Sequence, residues 1–177
     1  MKIGIIGKMA SGKTTLSETI CRFDNRHDKY SFSTGVKEIA CNYFDMNEKN
    51  RTLLINIGTK MREINPDIWI NYLFKNIKNT NYCVIDDVRH QNELNKLIDQ
   101  NFLIIKLHIT KQKQIERLKK IYKNSDDHIK NLNDMTETVD LTIPTTYDKV
   151  IDIDSCQPLI KIEQQIFTIL QKNQYES

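Results

Sequence analysis

No run of apolar residues in this 177-residue sequence approaches the roughly 18 that a membrane-spanning helix needs. Hydrophobic residues make up 39% and mean hydropathy is negative, so the reading is of a water-soluble chain with no membrane partner. The apolar stretch near the N-terminus is broken by Gly4, Gly7, Lys8 and Lys13, and a signal peptide is not expected there. Cys21, Cys41, Cys83 and Cys156 stand far apart with no C-x-x-C pair, and His27, His90, His108 and His128 stand at no ligand spacing. That excludes a zinc-finger pattern and indicates a reducing, cytoplasmic setting. A strong charge of one sign is also missing. The 26 Lys and Arg against 23 Asp and Glu leave +3, too little to indicate a nucleic-acid partner without a basic face. A small anionic ligand suits that balance. There is no internal repeat, linker or low-complexity tract, and the length fits one domain, 1–177, able to bury about 70% of its unfolded surface without staples.

What is present is organised around Gly7-Lys8-Met9-Ala10-Ser11-Gly12-Lys13-Thr14, which follows the apolar run Ile3 to Ile6 and opens a helical pattern. The pattern G-x-x-x-x-G-K-[ST] is a phosphate-binding loop: its glycines let backbone N–H groups converge on a polyphosphate, its lysine adds a mobile cation, and its hydroxyl can hold Mg²⁺. The helix that follows aims the positive end of its dipole at the same point. Gly7, Lys8, Ala10, Ser11, Gly12, Lys13, Thr14 and Thr15 are therefore the candidate nucleotide-binding residues.

Strand-like runs at Ile3–Ile6, Tyr30–Phe32, Cys83–Ile85, Leu103–Ile109 and Val150–Ile153 alternate with helical periodicity. That alternation predicts an α/β fold, a five-stranded parallel sheet covered by helices on both faces in three α/β/α layers. Ser33 and Thr34 are expected caps for a helix burying Val36, Ile39, Ala40, Tyr43 and Phe44. A second helix is expected over Arg51 to Arg62, where Gly58 calls for some close approach, and a third begins near Asp67. The third strand empties into Asp86-Asp87-Val88-Arg89. Ligand crevices in such sheets lie beyond the carboxyl ends of the strands, so these residues are expected beside Lys13. Lys111, Lys113, Arg117, Lys119, Lys120 and Lys123 mark a basic helix with Ile115, Leu118 and Ile121 as its core side. From Asn124 to Asp148 the sequence reads as a lid or surface loop. A last helix turns Leu159, Ile162, Ile166, Ile169 and Leu170 inward.

Several motifs together resemble one family. Ser31-Phe32-Ser33 with Lys37-Glu38-Ile39-Ala40, Ile57-Gly58-Thr59 with Arg62, Asp67-Ile68-Trp69, and Asp87-Val88-Arg89 with Asn92-Glu93 are similar to motifs of the deoxynucleoside monophosphate kinases of phages and large DNA viruses. The similarity runs through most of the first 120 residues, and the doubled acid Asp86-Asp87 departs from the family's single one. The resemblance implies a P-loop kinase fold of the nucleoside-monophosphate-kinase type. It also implies ATP and Mg²⁺ as cofactors, phosphoryl transfer to a deoxynucleoside 5′-monophosphate, a cytoplasmic location (the host's, if viral) and a homodimer. An acceptor-binding helical region is then expected at about 34–80 and a lid at about 111–148.

On this reading Lys13 bridges phosphates, Thr14 ligates the metal, an acid at 86 or 87 serves the metal or the acceptor (Asp87 assigned to the metal and Asp86 to the acceptor, with the catalytic one of the two left open), and Lys37, Arg62 and Arg89 grip the acceptor phosphate. Arg117 closes over the transferring group, and Trp69 or Tyr43 packs against the deoxyribose. Plainer readings stand beside these: Asp87 paired with Arg89, Arg62 as a helix-end cation, Lys37 and Arg117 on wet faces, and Trp69, Tyr43 and Phe44 in the core. Other readings are an adenylate-kinase-like or phosphomevalonate-kinase-like enzyme and a nucleotide-binding regulatory module without catalysis.

Overall fold

The computed structural model describes residues 1–77, 81–122, 129 and 141–175. In chain order the elements are β1 (Lys2–Gly7), α1 (Lys13–Phe23), β2 (Asp28–Tyr30), α2 (Thr34–Phe44), α3 (Arg51–Ile64), α4 (Ile68–Asn76), β3 (Cys83–Ile85), α5 (Gln91–Asp99), β4 (Leu103–His108), α6 (Lys111–Ile121), β5 (Val150–Asp154) and α7 (Leu159–Tyr175). The expected five-stranded parallel sheet is present, with strand order β2-β3-β1-β4-β5. The chain divides into two compact units, residues 1–29 with 81–177, and residues 30–80.

In the first unit the strands alternate sides as a pleated sheet requires. Ile3, Ile5, Ile105, Leu107 and Ile153 face α1 and α7 and join Leu16, Ile20, Ile162, Ile166 and Leu170 in one core. The opposite face carries Gly4, which lies close against Leu97 of α5 and Ile104. With helices on both faces, β1 and β3 can read as unbroken apolar runs. Two expected core positions fail: Leu159 on α7 and Ile121 on α6 are exposed, because each sits at the end of its helix where the apolar stripe has left the sheet.

The unit 30–80 is built from α2, α3 and α4 around Val36, Ala40, Ile57 and Trp69, with Leu53, Leu54 and Met61 packed against them. Tyr43 and Phe44, expected in this core, are 78% and 56% exposed. They fall in the last turn of α2, which ends at once in Asp45 in a left-handed conformation. The second strand lies two residues earlier than Tyr30–Phe32. Ser31 and Ser33 bond to one another through their hydroxyls at 2.7 Å, and Ser31 Oγ accepts from Ser33 N, so side-chain hydrogen bonds turn the backbone out of the sheet. Ser33 occupies the N-cap position of α2 without a side-chain capping bond.

Two titrating groups at the end of α1 set an expected pH dependence. His27 is buried, and neither ring nitrogen hydrogen-bonds to a described residue, although Asp24 Oδ2 lies 3.3 Å from Nδ1. Burial holds the imidazole below its usual 6.5, with the Asp24 charge opposing. The unfolded chain therefore takes up a proton that the folded chain resists. Stability is full above about pH 6.5 and falls as pH drops below it. The Arg26 guanidinium, 2.7 Å away, holds the Asp24 carboxyl at about 2, below 3.8, so a second loss follows between those values. Urea melts of His27→Leu should lose the upper limb of this decline and keep the lower; an unchanged upper limb removes His27 as its source.

Candidate functional site

The site grows from the point where β1 ends. Gly7 has a φ of 154°, and a Cβ there would lie 2.7 Å from Ser11 Oγ and 2.9 Å from the Leu107 carbonyl, so only glycine fits. Gly12 caps α1 at a φ of 93°, and Ala10 is left-handed at 58°. Between them the loop folds back on itself through Ser11 N donating to the Lys8 carbonyl at 3.2 Å. Lys13 opens α1 with its ammonium on the carbonyls of Gly7, at 2.6 Å, and Lys8, at 2.9 Å. Thr14 and Thr15 are exposed in the first turn.

A cavity of about 620 Å³ opens at the carboxyl ends of β1, β3, β4 and β5. Gly7, Lys8 and Lys13 line it together with Arg89, Lys106, His108, Thr110 and Asp154. The expected meeting of Lys13 with Arg89 thus occurs. Lys106 and His108 were not anticipated. Their signal was available, since a lysine and a histidine two residues apart in an apolar central strand must point to one face. His108 pairs with Asp152 on the neighbouring strand.

The doubled acid separates into two environments. Asp86 is buried, 2.8 Å from Lys29 Nζ and 2.9 Å from Ser17 Oγ, and that hydroxyl shares its single proton with the Thr14 carbonyl at 2.8 Å. It therefore ties β3 to the first turns of α1 rather than reaching outward. Asp87 is half-buried at the next position. Arg89 is exposed, but its backbone is fixed: the buried Glu93 accepts from Arg89 N at 2.8 Å and His90 N at 3.1 Å, capping α5.

Arg117, expected over the transferring group, donates from Nη1 to the Ala10 carbonyl at 2.9 Å and from Nη2 to the Ser155 carbonyl. One turn earlier on α6, Gln114 Nε2 reaches the Met9 carbonyl at 2.8 Å.

Lys37, Arg62 and Trp69 belong to the unit 30–80. Lys37 is exposed on α2. Arg62, in the last turn of α3, donates to the Gly58 carbonyl at 3.3 Å, and Trp69 Nε1 donates to the same oxygen at 3.2 Å. A Cβ at Gly58 would lie 3.3 Å from Arg62 Nη1, so the approach that a mid-helix glycine called for is that of the guanidinium. Trp69 is 2% exposed, so its ring belongs to the core and the stacking platform expected of it gives way to packing. Lys123, and the lid expected over Asn124 to Asp148 apart from residues 129 and 141–148, lie outside the described residues.

The residues present fit a polyphosphate with Mg²⁺. The loop closes too tightly for a Cβ at Gly7, Ser11 Oγ is buried with no described partner, and Thr14 stands exposed in the first turn of α1. Among the described residues no group of three or more His, Cys, Asp or Glu is placed to hold a metal ion.

A family profile described as AAA domain matches residues 3–138. Among solved structures, a gluconokinase from Sinorhizobium meliloti 1021 is similar at 16% identity and a TM-score of 0.60, covering 98% of this chain and 95% of its own. Deoxyadenosine kinase from M. mycoides, with products dCMP and a flexible dCDP bound, is similar at 18% identity and a TM-score of 0.52, covering 97% and 100%. A putative kinase from Chloroflexus aurantiacus j-10-fl matches at 16% identity and a TM-score of 0.57, covering 97% and 96%. At these identities the likeness speaks for the fold, an α/β fold of the P-loop kinase type. Among curated proteins the sequence finds no match.

Proposed function

The chain belongs to the AAA domain family, and from that premise we propose that it is an ATP-dependent kinase that phosphorylates a deoxynucleoside 5′-monophosphate. The observation that carries the reading is the joint lining of one cavity by Lys13 of the loop and Arg89 from beyond β3, with Lys106 adding charge. A loop that only senses ATP needs no second set of cations. Transfer between two phosphates does, because acceptor and donor repel one another.

In this reading the loop amides and Lys13 hold the donor's phosphates while Arg89 draws the acceptor phosphate toward them. Glu93 fixes the backbone that carries Arg89. Arg117 keeps the far side of the loop in place and sets a guanidinium beside Gly12. Thr14 and Asp87 would hold Mg²⁺, which supplies neutralisation of charge on the transferring group. Lys37 and Arg62 serve as further cations for the acceptor, Arg62 through the bidentate geometry a guanidinium offers to phosphate.

ADP release measured with dNMPs, NMPs, phosphomevalonate and gluconate tests the proposal: turnover is expected with at least one dNMP. Stimulation by no dNMP would sink it, and ATP binding without turnover on any acceptor would leave the regulatory module. Arg62→Ala should raise the acceptor's KM by about tenfold, the scale of one charged hydrogen bond, with the KM for ATP nearly unchanged. Equal rises in both would move Arg62 out of the acceptor site.

A further inference from the structure

We propose that Gln114 is a positioning residue for nucleotide binding, holding the phosphate loop in its binding-competent shape from outside. The inference rests on the reading that the loop binds ATP. Gln114 lies in the middle of a helix whose other polar residues are largely exposed, yet it is 6% exposed, with its amide nitrogen 2.8 Å from the Met9 carbonyl 105 positions earlier. Three residues on, Arg117 makes the matching contact with the next carbonyl, that of Ala10, at 2.9 Å. Side chains three apart on a helix share a face, so the two donors form one ledge along which two successive loop carbonyls lie.

The consequence follows from the planarity of the peptide unit. A trans peptide points its C=O and N–H in opposite directions. Anchoring the Met9 carbonyl on α6 therefore turns the Ala10 N–H away from α6, in the direction of the loop's interior. Ala10 is left-handed, a conformation a residue with a Cβ holds only when its surroundings impose it. Gln114 supplies part of that imposition before any ligand arrives. Preorganised donors gain affinity because the ordering is complete in the free protein.

Gln114→Met keeps the length and approximate volume of the side chain and removes the donor. Isothermal titration calorimetry should show an ATP Kd about five- to tenfold weaker, the effect of one buried hydrogen bond. The KM for ATP should rise by the same factor, while kcat and the acceptor's KM move by less than about twofold. Amide hydrogen exchange across Met9 to Ser11 in nucleotide-free protein should quicken as well. A variant that binds ATP as tightly as wild type overturns the inference, as does a loss shared equally by both substrates. If Gln114→Met does not fold, Gln114→Glu, which fills the same space but cannot donate when ionised, carries the same comparison. Wild-type protein that fails to bind ATP overturns the functional reading together with this one, whereas wild type that binds and a variant that matches it overturn this one alone.

Discussion

Lys13→Ala should lower turnover by at least about 10²-fold, the usual loss when a fixed charge facing the reacting group is removed. The lysine opens α1 with its ammonium on the carbonyls of Gly7 and Lys8, so it lies along the loop. Moving that charge onto phosphate oxygens exchanges two neutral acceptors for ionised ones, and the gain is largest where negative charge is greatest, in transfer itself. The expected signature is a fall in kcat that exceeds the rise in KM for ATP. Near-normal kcat would contradict the assigned role. Lys13→Arg should rescue poorly, because a planar fork cannot occupy the place of a compact ammonium between two loop carbonyls.

A substitution of one methyl group, Gly7→Ala, should be nearly as damaging. The added carbon would sit 2.9 Å from the Leu107 carbonyl and 3.0 Å from its Cβ, both on a central strand that cannot yield. The loop must shift instead, at a stability loss of about 1–3 kcal/mol. If the shift misaligns about two amides, each worth roughly 1.5 kcal/mol to a charged ligand, ATP affinity falls by about 10²-fold. Thermal melting and calorimetry together check this. A variant with unchanged Tm and ATP Kd would show that the loop has room the geometry denies it. Gly12→Ala tests a different constraint, since a Cβ there would meet only Arg117 Nη1, at 3.7 Å, and its difficulty is the positive φ alone.

The parts legible in the sequence are those where local chemistry and tertiary placement coincide. β1, the loop and α1 could be read because glycine spacing, lysine and the apolar run all serve one ligand and one fold. The strand order was not legible, because each strand's composition says that it is buried without saying beside which neighbour. β2 was misplaced because Tyr30 and Phe32 look like strand residues, while the decisive event is the pairing of the hydroxyls of Ser31 and Ser33. Tyr43 and Phe44 continue the stripe of α2 by period, but the helix ends before the stripe meets anything. Asp86 and Asp87 could not be told apart from spacing. What sets Asp86 apart is its contact with Lys29 and Ser17, residues 57 and 69 positions away from it. Gln114 was overlooked because a glutamine among lysines on a basic helix looks like any other wet residue, and only its burial marks it.

The oxygen of Gly58 accepts from both the indole of Trp69 and the guanidinium of Arg62. Both bonds come on top of the helix's own bond from the Arg62 amide, so this oxygen is crowded by donors, one on a ring sealed from solvent and one on a half-exposed cation. Anyone engineering this protein for a new acceptor would confine a mutant library to side chains a ligand can touch and leave position 69 alone. Yet exchanging the indole for a phenyl ring would remove a donor that shares its oxygen with the guanidinium, so a residue out of a ligand's reach bears on how that cation is held.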